Sequence, residues 1–498
     1  MIMNPAEGAP ADTEFEDSAE LGARAAHGAA WLGVINLASK GSQIMVTLIL
    51  ASFLTQGQLG LVTVAVSLIT VAQVIQAMGV YDVIARTDGN PLAMTRTVAT
   101  LSIGVGAVAA VVLVAGASPL ADLLGAADAA PLIMITAISL PFTALGGVQM
   151  ALMHRDLDFR RRMLPDAGSA LIGAVFTVAL AVTGAGAYSL AVGLLVGAIL
   201  QPVFGFFVGV RILPSWDREA AAEAMRWIRV VGPAAIVWTI LINIDYPTIS
   251  RVLGPDAVGV YSLAYRIAWI PYIMVAVVLG AVAFPVYTSM IRRGERDQIP
   301  AAVGRLTHAT LLIAGGMYAL IAIMAPSIVV LGGQWSGSVP VLIVLCGYGL
   351  GISVMSAWYE GIRVVGWTRT FLALESTHLI LLATLLPVLT RYGVVAAALA
   401  QVAAVAVLIP VAWIVSWKAK VAPPVGGFVR AILGLLVPAG ACYGMQILAY
   451  RIGWMTRPVT WTEAIVEGVV MVVIFVAVAY MANKRAVDEL WRLRGRRS

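Results

Sequence analysis

Residues 252–266, VLGPDAVGVYSLAYR, follow the pattern of residues 53–67, FLTQGQLGLVTVAVS, at a constant offset, so that Leu253 matches Leu54, Gly259 matches Gly60 and Ala264 matches Ala65. Each stretch runs out of a short loop into a long apolar span. The two spans around the first stretch therefore recur around the second, six spans further along the chain. A weaker echo pairs Gly186, before the sixth span, with Gly393, before the twelfth. Halves of six spans share one orientation and are related by an axis along the membrane normal, the parallel-repeat plan of transporters that rock two lobes about a central site. Segments rich in Leu, Val, Ala and Gly also match by chance, so the duplication stands as an expectation for the three-dimensional structure.

Outward from that pair, the chain reads as about fourteen apolar spans, near 28–54, 58–83, 95–118, 130–152, 165–184, 186–209, 226–249, 257–286, 302–325, 338–360, 369–389, 392–416, 427–448 and 461–482. Crossing the hydrocarbon takes roughly 20 apolar residues. With 60% hydrophobic and 12% charged residues and a mean hydropathy of +0.93, a soluble protein of this size could not hide its apolar surface. Lipid requires every backbone group to be paired within the segment, and glycines inside the spans suit helices packed through small residues. The expected fold is an all-α polytopic membrane protein, with two six-helix lobes and two C-terminal helices around a central cavity. Its parts are an acidic, disordered lead-in at 1–23, an N-lobe at 24–210, a C-lobe at 211–420, the two added helices at 421–482 and a basic tail at 483–498.

Charge sets the topology. Of 32 Lys and Arg residues, 25 fall in even-numbered loops and the tail, among them Arg155, Arg160, Arg161 and Arg162 after span 4 and Arg292, Arg293, Arg296 and Arg305 after span 8. Only Arg251, Arg391, Arg451 and Arg457 fall in odd-numbered loops. Basic loops stay in the cytoplasm, which predicts a multi-pass protein of the bacterial inner membrane with both termini cytoplasmic. The lead-in carries Glu7, Asp12, Glu14, Glu16, Asp17 and Glu20 and lacks the basic start of a signal peptide. Leu490, Trp491 and Leu493, set among six basic residues, place the tail on anionic lipid or serve as a topology anchor alone. The net charge of +6 reflects loops facing such lipid and gives no ground for nucleic-acid binding.

No loop carries GxxxxGK[ST], a metal-ligand cluster or a nucleophile elbow, and Cys346 and Cys442 both fall within spans. Neither an enzyme, nor a cofactor, nor a metal site is expected. What remains is chemistry inside the membrane, where polar groups usually face a cavity or a partner. Asn36, Lys40, Gln43 and Thr47 step by four, three and four along one face of span 1. The Lys either faces an anionic substrate or pairs with a carboxylate for packing. Tyr261, Tyr265, Trp269 and Tyr272 form a second stripe on span 8, with Ser262 and Arg266 at its edge. Its rise of about 16 Å is too tall for one interfacial belt. Aromatic faces beside a guanidinium suit sugars and phosphates, and they equally suit helix packing. Asp245 in span 7, Glu360 in span 10, and Glu375 with His378 one turn apart in span 11, are the acidic candidates. Asp245, Glu375 and His378 could carry a coupling ion or proton, or hold the helices together.

Asn243-Ile-Asp245-Tyr246, Ile249-Ser-Arg251-Val-Leu253-Gly254 and Gly259-Val-Tyr261-Ser262-Leu263-Ala264-Tyr265-Arg266, with Pro271 and Pro285, resemble the span 7 to 8 signature of the bacterial polysaccharide-transport (Wzx-like) flippases. These belong to the multidrug/oligosaccharidyl-lipid/polysaccharide exporter superfamily. His154-Arg155-Asp156-Leu157-Asp158-Phe159-Arg160 is similar to that family's cytoplasmic RDLDF segment, and Gly184-Ala-Gly186-Ala-Tyr188-Ser189-Leu190 to its turn between spans 5 and 6. The resemblance covers most of the chain from span 1 to span 12. It implies alternating access, with an undecaprenyl-diphosphate-linked oligosaccharide moved to the periplasmic leaflet for O-antigen, capsule or exopolysaccharide assembly. It also implies a cavity lined by helices 1, 2, 7 and 8, Lys40 coming from one lobe and Arg266 from the other. Membrane lipids and the polymerase or glycosyltransferase machinery are the implied partners. A lipid II flippase and a drug/cation antiporter of the same superfamily are the rival readings. Pro247 departs from the family pattern and should break span 7 near its outer end.

Overall fold

The computed structural model describes residues 46–77, 79–80, 83–84, 90–156, 158–453 and 460–482. Expectations placed on residues 1–45, with Asn36, Lys40 and Gln43, and on the tail at 483–498 lie outside the described residues. Every regular element among the described residues is helical. Eleven of these helices are long and apolar enough to cross a membrane, and the bent pair Ala127–Ala137 and Leu140–Arg155 makes a twelfth. The count of fourteen goes further than this. Span 1 begins outside the described residues, and the helix that opens span 7, Arg218–Leu241, carries Arg218, Glu219, Glu223, Arg226 and Arg229 in its first half and is not among the twelve.

In the first half, α1 (Gln56–Gln76) starts at a capping box in which Thr55 and Gln58 satisfy each other's backbone N–H. The helix α2 (Pro91–Ala115) starts on Asn90 with Pro at its first position. The bent span is α3 (Ala130–Ala137) and α4 (Leu140–Arg155), at 43° to one another, with Pro141 in the first turn of α4, where a missing N–H costs nothing. Next come α5 (Ser169–Val182) and α6 (Ala187–Phe207), which press together through Gly173 and Gly193: a Cβ on Gly173 would lie 2.7 Å from the Gly193 carbonyl oxygen.

The second half opens with α7 (Arg218–Leu241), capped by Asp217, and α8 (Asp245–Leu253). The break expected from Pro247 lies between them: span 7 turns at residues 242–244, and Pro247 sits in the first turn of α8. Span 8 is α9 (Pro255–Ala268), a π-turn at Tyr272–Ala276 after Pro271, and α10 (Val277–Arg292). Then follow α11 (Ile299–Met324), α12 (Ser338–Val364), α13 (Thr368–Leu389), α14 (Val394–Lys418) and the added pair α15 (Val425–Arg451) and α16 (Trp461–Ala482). Of its apolar window α12 buries 61% and α16 only 17%, so α12 is the axis of the C-lobe and α16 faces lipid. The echo of Gly186 and Gly393 is conformational: both precede a helix with positive φ, 57° and 111°, open to glycine.

The repeat is written into the contact between the halves. The helices α1 and α9 cross where Gly60 meets the carbonyl of Pro255 and Gly259 meets the carbonyl of Gln56; a Cβ would come within 1.8 Å of the first and 2.0 Å of the second. Gln56 and Pro255 are themselves matched at the repeat offset. Between the two contacts the matched hydroxyls of Thr63 and Ser262 approach to 3.4 Å, Thr63 donating. Residue i touches the copy of j, and j touches the copy of i, which is the signature of a two-fold axis, here inside one chain.

Candidate substrate cavity

A cavity of about 470 Å³ opens inside the first half. Its lining residues fall between Val46 and Gln201, with one exception, Arg266 of α9. The Arg266 guanidinium crosses to the N-lobe and donates to Thr47 Oγ1 at 3.0 Å. No carboxylate among the described residues pairs with it. A cation displaced from lipid and held by a single neutral hydroxyl has capacity left for an anion. At another point of the lining Asp166 accepts two hydrogen bonds from Arg162, at 3.2 Å each, and Arg162 also meets His154 Nδ1 at 3.4 Å.

Where α1 and α9 begin, the halves are bolted. Trp335, fully buried in the short helix Gly333–Gly337, donates its indole N–H to the Ala51 carbonyl at 2.7 Å. Gln334 donates to the Leu54 carbonyl at 3.1 Å and accepts from Gln56, and Ser338 donates to the Val260 carbonyl at 2.9 Å. On the opposite side of the axis Gly125 lies against the carbonyl of Ser250, the residue matched to Ala51. The sequence reading missed this bolt, because its partners lie 284 residues apart and neither carries a charge.

The aromatic stripe turns inward, into the C-lobe. Tyr261 and Tyr265 stack at 5.9 Å between centroids, Tyr265 and Trp269 at 5.2 Å, and Trp269 packs on Tyr272 and on Tyr348 of α12. Tyr348 in turn reaches the His378 ring at 6.4 Å. Tyr261 and Tyr265 are buried, whereas Trp269 and Tyr272 are half-buried, and of this stripe and its edge only Arg266 lines the cavity. At one end of the column Asp245, fully buried, accepts from Tyr261 Oη and from Gln401 Nε2, both at 2.6 Å on Oδ2; Oδ1 has no partner. At the other end Glu375 and His378 share a face of α13 and are buried, and Glu375 Oε2 and His378 Nε2 have no partner among the described residues. Glu360 is paired to Arg363 at 3.0 Å, and the Arg363 guanidinium lies over Phe284 and Phe371. Sequence reasoning missed Gln401 and the hydroxyl-bearing cavity wall. The wall had left a trace in the spacing of Thr136, Ser139 and Thr143 and of Ser169, Gly173 and Thr177, each set on one helical face.

Residues 49–340 match the family described as polysaccharide biosynthesis protein. The chain belongs to that family. Among its relatives, the succinoglycan biosynthesis transport protein ExoT of Rhizobium meliloti (strain 1021) is 29% identical over 63% of this chain and 63% of its own length. The lipopolysaccharide biosynthesis protein WzxC of Escherichia coli (strain K12) is 26% identical over 65% of this chain and 66% of its own. The match thus spans about two thirds of each of these members. The fold continues beyond it. A structure of the lipid II flippase MurJ in an inward closed conformation superposes with a TM-score of 0.73 over 91% of this chain and 99% of that one, at 13% identity. An inward-facing multidrug resistance MATE transporter gives 0.64 over 78% and 99%, at 15% identity. The family and the superfamily fold are those implied by the motifs around spans 4 to 8.

Proposed function

We propose that this member of the family flips an undecaprenyl-diphosphate-linked oligosaccharide from the cytoplasmic to the periplasmic leaflet of the bacterial inner membrane, without covalent chemistry. The observation that carries this is Arg266: a guanidinium from one lobe standing in a cavity of the other, with one neutral hydrogen-bond partner among the described residues. A diphosphate faces a steep barrier in hydrocarbon, and a fork of N–H donors lowers it. Lys40, on the same face of span 1 as Thr47, supplies the second charge. The aromatic stripe, Tyr261, Tyr265, Trp269 and Tyr272, stacks outside this cavity and backs Arg266. With both termini in the cytoplasm, the Trp335 bolt closes the periplasmic end and the cavity loads from the cytoplasm. Asp245, with a free oxygen at the end of the column, is assigned to ion or proton coupling, together with Glu375 and His378. The polymerase or glycosyltransferase machinery supplies and consumes the glycan.

The test is translocation of an undecaprenyl-diphosphate-linked oligosaccharide in proteoliposomes. Wild type should flip it, and the Lys40→Gln/Arg266→Gln double variant should lose at least roughly a hundredfold in rate while remaining inserted and monodisperse, as expected for two charge-assisted contacts. Normal flipping by that variant would remove the assignment. The likeness in fold to MurJ supports lipid II as a second reading. Competition between lipid II and a surface-polysaccharide precursor in the same vesicles separates the two, and efflux of cationic dyes would favour an antiporter.

A further inference from the structure

The hydroxyls of the cavity wall are bound in a way that decides what they can hold. Thr70 donates to the Val66 carbonyl at 2.8 Å, Thr136 to Leu132 at 2.6 Å, Thr143 to Leu140 at 3.0 Å and Thr177 to Gly173 at 2.9 Å. Ser139 and Ser169 likewise donate to carbonyls of their own turns. A hydroxyl has one proton and two lone pairs. With the proton committed to the helix backbone, each of these groups has only lone pairs left to offer, and Thr143 already gives one of its own to Gln76 Nε2 at 2.8 Å. Asp166 adds acceptor oxygens, its charge offset by Arg162. Gln201 makes a single weak contact, to Met150 Sδ at 3.5 Å, and Gln73 makes none among the described residues. Their carboxamides are the adaptable groups of the wall.

Such a wall repels an ionised phosphate, whose oxygens only accept, and it welcomes a molecule dense in O–H groups. On the reading given under Proposed function, we infer that the N-lobe cavity is the glycan subsite: neutral sugar rings donate their hydroxyls to the Thr, Ser and Asp166 oxygens and exchange hydrogen bonds with Gln73 and Gln201, while the diphosphate stays on Arg266. Sugar and phosphate are thereby sorted within the site, O–H donors to the hydroxyl wall and negative charge to the cations. Specificity for the glycan resides in α1, α4, α5 and α6, and the aromatic column serves as a rigid backing.

The experiment compares two probes in proteoliposomes holding the full chain, an undecaprenyl-diphosphate-linked neutral tetrasaccharide and its single-sugar counterpart, with Gln201→Leu and Thr70→Val/Thr177→Val as variants. The apparent KM for the tetrasaccharide should rise about tenfold per variant, and that for the single-sugar probe should change by less than about twofold. In a Cys346→Ser/Cys442→Ser background, the Ser139→Cys variant should react with a water-soluble thiol reagent, and the tetrasaccharide probe, but not undecaprenyl phosphate, should protect it. Wild-type kinetics on both probes in folded variants, an equal loss on both, or labelling of the Ser139→Cys variant that the tetrasaccharide leaves unchanged would each overturn the subsite. Failure of wild type to move either probe overturns the flippase reading itself and the subsite with it.

Discussion

The two lobes descend from one pattern, yet they use their interiors in opposite ways. Within the N-lobe, glycines draw α5 and α6 together and hydroxyls tied to their own helices surround about 470 Å³ of space. In the C-lobe the helices close on rings: Tyr261, Tyr265, Tyr348, Trp358 and Tyr318 are all buried, and Asp245 is locked by Tyr261 and Gln401. The axis where the lobes touch has kept the symmetry of the duplication, with Gly60 against Pro255 and Gly259 against Gln56. The difference teaches that duplication fixed the hinge, while the insides were free to diverge, one towards a container and the other towards a rigid frame.

Breaking that division should cost most where the frame is polar. Asp245→Ala leaves the Tyr261 hydroxyl and the Gln401 amide without an acceptor in a dry interior and should lower stability by about 2–3 kcal/mol. Thermal unfolding in detergent should show a clear drop in Tm, against little change for Thr70→Val in the N-lobe, whose hydroxyl bonds only to its own helix among the described residues. Equal losses for the two would erase the contrast between frame and container. The hinge comes next. Gly60→Ala and Gly259→Ala should each cost about 1–3 kcal/mol through overpacking against a carbonyl, and the symmetry requires the two to be alike in both stability and transport rate. A large effect from only one of them would show that the axis is not functionally two-fold.

Trp335→Phe keeps the ring and removes the N–H, which should shift the closed-to-open balance by about 1 kcal/mol, roughly fivefold. Distances between spin labels placed across the bolt would report a larger open fraction. Smallest of all is Tyr265→Phe. The Tyr265 hydroxyl is buried without a partner, so its loss should leave stability within about 0.5 kcal/mol of wild type or raise it slightly. A marked loss of transport with unchanged Tm would sharpen the comparison, by placing a substrate contact inside the frame.

Long apolar runs made the spans legible, and the matched glycines made the duplication legible, since a close crossing tolerates no other residue. The break before α8 was announced by Pro247, and a cavity shared by span 1 and Arg266 was implied by the family resemblance. What the sequence could not announce was pairing at a distance between neutral groups: Gln401 lies 156 residues from Asp245, and Trp335 meets a backbone carbonyl, which every residue carries. The cavity wall was hidden for a different reason. Thr and Ser within apolar helices read as packing residues, and only the geometry shows which oxygens are left looking into space. Span 8 ran past its expected end, from 286 to Arg292, with Pro285 held inside the helix rather than ending it.

The bolt and the axis together bear on how the molecule opens. A dimer of identical halves must put the same clasp on both sides of its axis, and would have to undo both at once. In this fused chain the carbonyl of Ala51 accepts from an indole, while its counterpart on Ser250 lies against Gly125 and, among the described residues, accepts from its own backbone at Gly254 and from no side chain. One edge is a latch and the other a bare seam. The lobes should therefore part like a door rather than like a drawer, the seam leading and the latch following.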